Sequence, residues 1–176
     1  MKVLVVVDMQ NDFIDGALGT PEAQAIVSNV KKKIEEAMEN NDLIIYTRDT
    51  HFDRYLQSKE GEKLPVEHCI RGTDGWQIRE ELLTPKEYKL TYILNKYTFG
   101  SYELPEIISN IVDCNEVELV GLCTDICVVT NTLMLKARFY NTHDIIVDAK
   151  CCAGVSPESH EAALKTMEMC QINVKR

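Results

Sequence analysis

The sequence has no long apolar run, no cluster of basic residues and no C-x-x-C pair. Its opening run, residues 3–7, is followed at once by Asp8 and is far too short for a signal-peptide core or a membrane span. The net charge is -9, and the 19 lysines and arginines are scattered, which disfavours a nucleic-acid partner. We therefore expect a cytoplasmic protein without nucleic-acid or membrane partners.

The seven cysteines form no disulfide or zinc-ribbon pattern. Their number is odd and their spacing is irregular, which is typical of reduced thiols in a cytosolic protein. The length of 176 residues is enough for one well-buried core and short for two. We expect a single domain over residues 1–176.

Apolar runs alternate with amphipathic stretches along the chain. Parallel sheets with both faces covered have strands of this continuous apolar kind, so the pattern predicts a three-layer α/β/α fold. The predicted strands lie at residues 2–7, 43–46, 90–94, 117–122, 144–148 and, more weakly, 172–174. The predicted helices lie at residues 22–39, 104–113, 126–140 and 157–170.

Cys127 follows the fourth predicted strand and begins a helix. Thr124 or Asp125 is placed to cap that helix, which then runs on from about Ile126. The positive end of a helix dipole lowers the pKa of a cysteine and favours the thiolate, so Cys127 is a candidate nucleophile. The alternative is a small buried side chain without chemistry.

Three further reactive residues stand at strand ends. Asp8 ends the first strand, Asp49 the second and Lys96 the third. Because ligands bind beyond the carboxyl ends of parallel strands, we expect these groups to meet Cys127. A carboxylate can take the thiol proton and return it to a leaving amine, while an ammonium stabilises the thiolate. Taken singly, Asp8 fits a turn cap and Lys96 fits a surface group.

Residues 49–76 form a polar segment without a helix, which is long for a loop in a compact domain. Leu64, Val66, Ile70 and Trp76 predict that it packs down as a wall of the active site. The other aromatic and polar residues of the segment leave its detailed path open.

The same segment holds a candidate metal site. Asp49 and His51 point the same way in an extended strand, and Glu60 and His68 follow in the loop. Oxygen and nitrogen donors of this mixture suit zinc, iron(II) or manganese(II). The alternative is a polar loop whose histidines only form hydrogen bonds.

The remaining candidates are weaker. We expect His143 and His160 to be surface residues. The vicinal pair Cys151 and Cys152 fits either a redox site or, more simply, small core or turn residues.

Four motifs resemble those of the isochorismatase-like cysteine hydrolases, and within them the nicotinamidases. In chain order they are VVVDMQNDF, TRDTH with LPVEHCIRGTDGW, NKYTFGS and GLCTDICV, and the resemblance covers nearly the whole chain. It implies a Rossmann-like six-stranded parallel sheet in the order 3-2-1-4-5-6.

The resemblance also implies roles for individual residues. Asp8, Lys96 and Cys127 are the implied catalytic triad. A non-proline cis peptide is implied at Leu122-Cys123, with an oxyanion hole formed by the backbone N–H groups of Cys123 and Cys127.

A divalent metal is implied as cofactor, most often zinc, with iron or manganese as alternatives. Asp49, His51 and His68 match the ligands of the nicotinamidases directly, and Glu60 matches a variable fourth position. In this family the metal holds the pyridine nitrogen of nicotinamide.

The implied substrate is a small carboxamide. Phe13 matches the aromatic residue that packs on the substrate ring, and Phe99 a second pocket position. The implied reaction is hydrolysis of nicotinamide through a thioester, and dimers or tetramers are frequent in the family. One alternative is a metal-independent hydrolase of another amide, urea or carbamoyl compound; another is a thiol redox or ligand-binding module.

Overall fold

A six-stranded parallel sheet forms the centre of the molecule in the computed structural model, which describes all 176 residues. The strand order is β3-β2-β1-β4-β5-β6, and every neighbouring pair is parallel. The predicted fold class and strand order are therefore confirmed. The strands are β1 (Val3–Val7), β2 (Leu43–Asp49), β3 (Thr91–Lys96), β4 (Glu116–Leu122), β5 (Asp144–Ala153) and β6 (Asn173–Lys175).

Five α-helices accompany the sheet, with two 3-10 turns in the loops and a π-helical turn before the fourth helix. The helices are α1 (Asn11–Ile14), α2 (Pro21–Glu39), α3 (Glu103–Ser109), α4 (Val129–Phe139) and α5 (Pro157–Met169). The shorter turns cover Tyr55–Gln57, Glu80–Leu82 and Thr124–Val128. No helix combines the length and the apolar character needed to cross a lipid bilayer.

Strand β1 lies in the middle of two apolar cores. All five of its side chains are buried, and successive side chains point to opposite faces of the sheet. Val5 packs into the core shared with α3, α4 and α5, whereas Val6 packs into the core shared with α2. An unbroken valine and leucine run is what a strand covered on both faces requires.

Helix α2 covers one face because its apolar residues recur with helical spacing. Thr20 caps the helix by accepting a hydrogen bond from the N–H of Ala23 at 3.0 Å, and Pro21 opens the first turn. The buried residues of the helix are Ala23, Ile26, Val30, Ile34 and Ala37.

Two predicted boundaries were wrong by four or five residues. The third helix ends at Ser109 rather than 113, where the Asn110 N–H turns back to the carbonyls of Ile107 and Ile108. The fifth strand continues to Ala153, because its pairing with β4 shifts register between residues 147 and 152. A bulge of this kind carries the strand past the predicted end at 148 and onward to the site.

The segment 49–76 packs down only in part. Trp76 is buried and Ile70 half-buried, as expected, but Leu64 and Val66 are 37% and 36% exposed. Sequence hydrophobicity overstated the burial of these two side chains.

Candidate active site

Four strands deliver four reactive side chains to one place. Asp8 follows β1, Asp49 ends β2, Lys96 ends β3, and Cys127 lies in the π-helical turn after β4. All four residues are at most 5% exposed. The Lys96 Nζ atom lies 2.7 Å from Asp8 Oδ2, 3.1 Å from Asp49 Oδ1 and 3.5 Å from Cys127 Sγ. The structure therefore brings the predicted triad together around one ammonium group.

Asp8 is held in an unusual backbone conformation. Its φ of 48° lies in the left-handed region, which non-glycine residues seldom adopt outside special sites. The Thr47 hydroxyl donates to Asp8 Oδ1 at 2.7 Å and accepts from the Asp8 N–H at 3.2 Å. One threonine on β2 thus fixes both the backbone and the carboxylate of Asp8, leaving Oδ2 for Lys96.

The sulfur of Cys127 lies in a buried site that disfavours its thiolate form. Burial raises the pKa of Cys127 well above its usual value, and the opposing effect of Lys96 does not overcome it. The expectation of a lowered cysteine pKa is therefore wrong, because a helix-terminus argument does not include the depth at which the sulfur lies. Burial also raises the pKa of Asp8, although Lys96 opposes this, so its carboxylate is a stronger base than an exposed one.

The ammonium of Lys96 stays charged. Burial by itself lowers the pKa of Lys96, but the carboxylates of Asp8 and Asp49 outweigh it and hold the pKa well above its usual range. The Lys96 ammonium also donates to the Thr98 carbonyl at 3.1 Å. A fixed positive charge therefore faces the carboxylate and the sulfur at once.

The turn that carries Cys127 differs from the predicted helix start. It is π-helical, and neither Thr124 nor Asp125 caps it, so that prediction was wrong. Their side chains bind the C-terminal segment instead. The Leu122-Cys123 peptide is cis, as the family resemblance implied. The Cys123 N–H makes no hydrogen bond within the chain and is free to donate to a ligand.

Next to the triad, four side chains converge in a way that fits a metal ion. One donor atom from each of Asp49, His51, Glu60 and His68 lies within 4.8 Å of the other three. His51 Nε2 lies 3.0 Å from Asp49 Oδ2 and 3.7 Å from Glu60 Oε1. Donors around a tetrahedral zinc with bonds of about 2.0–2.1 Å stand at comparable separations.

The surrounding hydrogen bonds prepare these donors for a cation. His51 Nε2 is buried without a hydrogen-bond partner, and His68 Nδ1 donates to the Val66 carbonyl at 2.8 Å, which leaves its Nε2 free. Asp49 contacts both the Lys96 ammonium and the metal-donor cluster, since its Oδ1 accepts from Lys96 and its Oδ2 faces the histidines. The donor set fits a divalent metal of the zinc, iron or manganese kind.

A cavity of about 260 Å³ joins the two groups. Cys123 and Cys127 line it together with Asp49, Glu60 and His68, and most of the other lining side chains are apolar. Drug-sized ligands usually occupy larger sites of about 300–1,000 Å³, so this volume favours a small molecule. The lining residues are Phe13, Leu18, Thr20, Ala23, Asp49, Glu60, Leu64, His68, Phe99, Leu122, Cys123, Ile126, Cys127, Gly154 and Val155.

The two predicted pocket aromatics occupy different depths. Phe13 is buried, and its ring lies 5.5 Å from the His68 ring, so it offers an apolar face beside the metal donors. Phe99 is 46% exposed and stands at the mouth of the cavity.

Comparison with known proteins agrees with this geometry. A family model described as the isochorismatase domain matches residues 2–175. The chain belongs to the isochorismatase family. A nicotinamidase/pyrazinamidase of Mycobacterium tuberculosis is 26% identical over 99% of this chain and 98% of its own length.

Solved structures of isochorismatase-like proteins superpose closely. The pyrazinamidase of Pyrococcus horikoshii in complex with zinc has a TM-score of 0.86 and 26% identity, covering 99% of this chain and 98% of that one. The N-carbamoylsarcosine amidase of Thermoplasma acidophilum has a TM-score of 0.79 and 27% identity, covering 99% and 95%.

Sequence reasoning missed the residues that hold this isochorismatase-family site in place. Gln10 is fully buried; its Nε2 donates to the carbonyls of Asp49 and Trp76, and its Oε1 accepts from the Asp49 N–H. Asp12 accepts from the Cys69 N–H at 2.8 Å, next to His68. Both residues lie inside the first motif, which was the available signal.

His160 was predicted to be a surface residue, and this was wrong. Its Nδ1 lies 2.8 Å from the hydroxyl of the fully buried Thr124, and its side chain is only 17% exposed. His143 is also half-buried rather than exposed, since its ring packs 4.1 Å from the Phe139 ring and its Nδ1 lies 2.9 Å from the Thr142 hydroxyl. All seven cysteines are free thiols, including Cys151 and Cys152, which are buried.

Proposed function

We propose that this protein is a nicotinamidase, which hydrolyses nicotinamide to nicotinate and ammonia through a cysteine thioester. The observation that carries the proposal is one small cavity that is lined both by the Cys127 thiol and by the Asp49, Glu60 and His68 donors. A flat ring with a carboxamide and a basic ring nitrogen can present the carboxamide to the thiol and the ring nitrogen to a metal held by those donors.

In the proposed reaction, Asp8 takes the thiol proton as the sulfur of Cys127 attacks the carboxamide carbon. The charge that develops on the carboxamide oxygen is held by the N–H groups of Cys123 and Cys127. Asp8 returns its proton to the leaving nitrogen, and ammonia departs from the thioester. Asp8 then deprotonates a water molecule, whose attack releases nicotinate and regenerates the thiol.

Lys96 supports each of these steps through its position. Its ammonium lies 2.7 Å from Asp8 and 3.5 Å from the sulfur, so it stabilises negative charge on either group as the proton moves. The raised pKa of Asp8 suits a group that must first accept and later donate a proton near neutral pH.

We assign Asp49, His51, Glu60 and His68 as the metal ligands, with zinc as the resident ion and iron or manganese as alternatives. When bound, the metal supplies a Lewis acid for the ring nitrogen of the substrate. Phe13 packs on the substrate ring, and Phe99 occupies a second, more exposed position in the pocket. The free thiols support a cytoplasmic location, and a homo-oligomer stays a prediction from the family.

The alternative is a metal-independent hydrolase of another small amide, and the likeness to an N-carbamoylsarcosine amidase favours it as the second candidate. The metal donors favour the first candidate, because a carbamoyl substrate has no ring nitrogen that could bind a metal held by them.

A substrate panel with and without metal tests the proposal. Ammonia release is measured with nicotinamide, pyrazinamide, ureidoacrylate and N-carbamoylsarcosine, before chelation, after chelation and after zinc is returned. We expect nicotinamide to have the highest kcat/KM, with loss on chelation and recovery with zinc. Preferred turnover of a carbamoyl compound, unaffected by chelation, would establish the alternative.

A further inference from the structure

One polar contact beside the site has no part in the mechanism above. The Thr124 hydroxyl and His160 Nδ1 are 2.8 Å apart, and Thr124 has no other side-chain hydrogen bond. Thr124 is fully buried and opens the π-helical turn, between Cys123 and Cys127. The contact therefore ties helix α5 to the segment that carries both proposed oxyanion donors.

Two further contacts join the same pieces. A Cβ atom at Gly154 would lie only 2.9 Å from the His160 backbone nitrogen, so the helix rests directly on a residue that lines the cavity. The Asp125 carboxylate accepts from the Val155 N–H at 3.2 Å. The turn, the end of β5 and the first turn of α5 thus form one packed unit.

We propose that His160 is a positioning residue for this reaction: through Thr124 it holds the turn that aims the N–H groups of Cys123 and Cys127 at the substrate carbonyl. The inference rests on the proposed function, since the turn binds an oxyanion only if an acyl-transfer reaction takes place. His160 itself does not touch the substrate.

The hydrogen bond runs from the threonine to the imidazole. Burial lowers the pKa of His160, which keeps the ring neutral near pH 7 with an acceptor nitrogen available. The charged groups around it are Glu161, whose Oε1 lies 4.0 Å from Nε2, with Asp125 and Arg176 nearby and Glu22 across the adjoining cavity. We assign the proton of the neutral ring to Nε2, because Nε2 faces the Glu161 carboxylate, and Nδ1 then accepts from the Thr124 hydroxyl.

Kinetics of matched variants test the assignment. His160→Ala and Thr124→Val each remove one partner, and His160→Asn keeps an acceptor oxygen near the position of Nδ1. We expect kcat for nicotinamide to fall about tenfold in the first two variants, less than the loss of a whole oxyanion donor, with KM within about twofold. We expect the asparagine variant to keep at least half of the wild-type kcat.

The double variant Thr124→Val/His160→Ala shows whether the two residues act together. Because both changes remove the same hydrogen bond, its kcat should be no lower than that of either single variant. His143→Ala is the control, since it removes the other imidazole that contacts a threonine hydroxyl, at the opposite end of strand β5 from the cavity. Its kcat should equal that of the wild type.

Amide hydrogen exchange gives a second readout that needs no substrate. In His160→Ala, amides of residues 122–128 should exchange at least about tenfold faster than in the wild type, with no such change in His143→Ala. Unchanged exchange in His160→Ala would overturn the proposal, as would a kcat loss that His160→Asn fails to restore. Failure of the wild type to hydrolyse nicotinamide would refute the proposed function instead, and the exchange data would still decide whether His160 holds the turn.

Discussion

At the scale of single residues, Lys96 contacts all three of the other reactive side chains at the strand ends. Its one ammonium is shared by two carboxylates and a thiol, and the whole group is almost inaccessible to solvent. Buried charges are stable only when they are paired and hydrogen-bonded. The same charge that supports the reaction therefore also holds Asp8 and Asp49 in the folded protein.

Replacement of this lysine should affect stability as well as turnover. Lys96→Met leaves two buried carboxylates without a counter-charge, and we expect the free energy of unfolding to fall by about 3–5 kcal/mol. Urea denaturation at neutral pH, with metal removed from all samples, measures the change.

Lys89→Met is the matched control, because Lys89 is exposed and bonds only to a nearby backbone carbonyl. Its unfolding free energy should change by less than about 0.5 kcal/mol. Equal effects of the two substitutions would show that Lys96 is not the counter-charge of a buried network.

The sequence was sufficient to predict the positions of Asp8, Asp49, Lys96 and Cys127, because strand ends in a parallel sheet converge whatever their spacing. It was insufficient to predict the direction in which the pKa of Cys127 shifts, since this depends on how deeply the sulfur is buried. His160 was misjudged for a related reason: an exposed-looking residue of an amphipathic helix had a buried partner from a segment 36 residues away.

At the scale of elements, the close approach of β1 and β4 fixes where the π-helical turn that carries Cys127 begins. Gly121 has a φ of 117°, and a Cβ atom there would lie 2.1 Å from the Val7 carbonyl oxygen. Only glycine combines this backbone conformation with this contact.

Two glycine substitutions separate strain from steric overlap. Gly121→Ala introduces both a strained backbone conformation and a steric overlap with Val7. We therefore expect it to lower the free energy of unfolding by about 2–5 kcal/mol. Gly72→Ala also has a positive φ, of 90°, but no atom lies within 4 Å of its Cβ position, so we expect a loss of about 1 kcal/mol. Thermal unfolding measures the loss of stability in each variant. Equal losses in the two variants would contradict the close packing of β1 on β4.

The strands were predictable because each is a continuous apolar run between polar segments. The details that were not predictable depend on tertiary contacts. The continuation of β5 past 148 follows a register shift that is braced by α2, where Lys33 pairs with Asp148 and Asn29 donates to the Lys150 carbonyl. No local pattern in residues 144–153 contains that information.

At the scale of the whole molecule, the metal donors join distant parts of the chain. Asp49 and His51 leave the sheet at β2, whereas Glu60 and His68 belong to the long loop that walls the cavity. An ion bound to all four would link the loop to the sheet, so binding and folding should be coupled.

Zinc should therefore raise the unfolding temperature. At a free concentration 1,000 times its Kd, a ligand that binds only the folded state contributes about 4 kcal/mol, which corresponds to about 8–16 °C for a chain of this size. Calorimetry of the metal-free protein with and without zinc measures the shift. His143→Ala should retain the shift and His51→Ala should lose most of it; an equal shift in both would place zinc elsewhere.

The most direct test of the account is ammonia release from nicotinamide by the zinc-loaded wild type and by Cys127→Ala, with intact-mass analysis of samples quenched during turnover. We predict steady ammonia release and a transient mass increase of one nicotinoyl group on the wild type, and neither in the variant. Ammonia release by Cys127→Ala at a rate near that of the wild type would contradict the account.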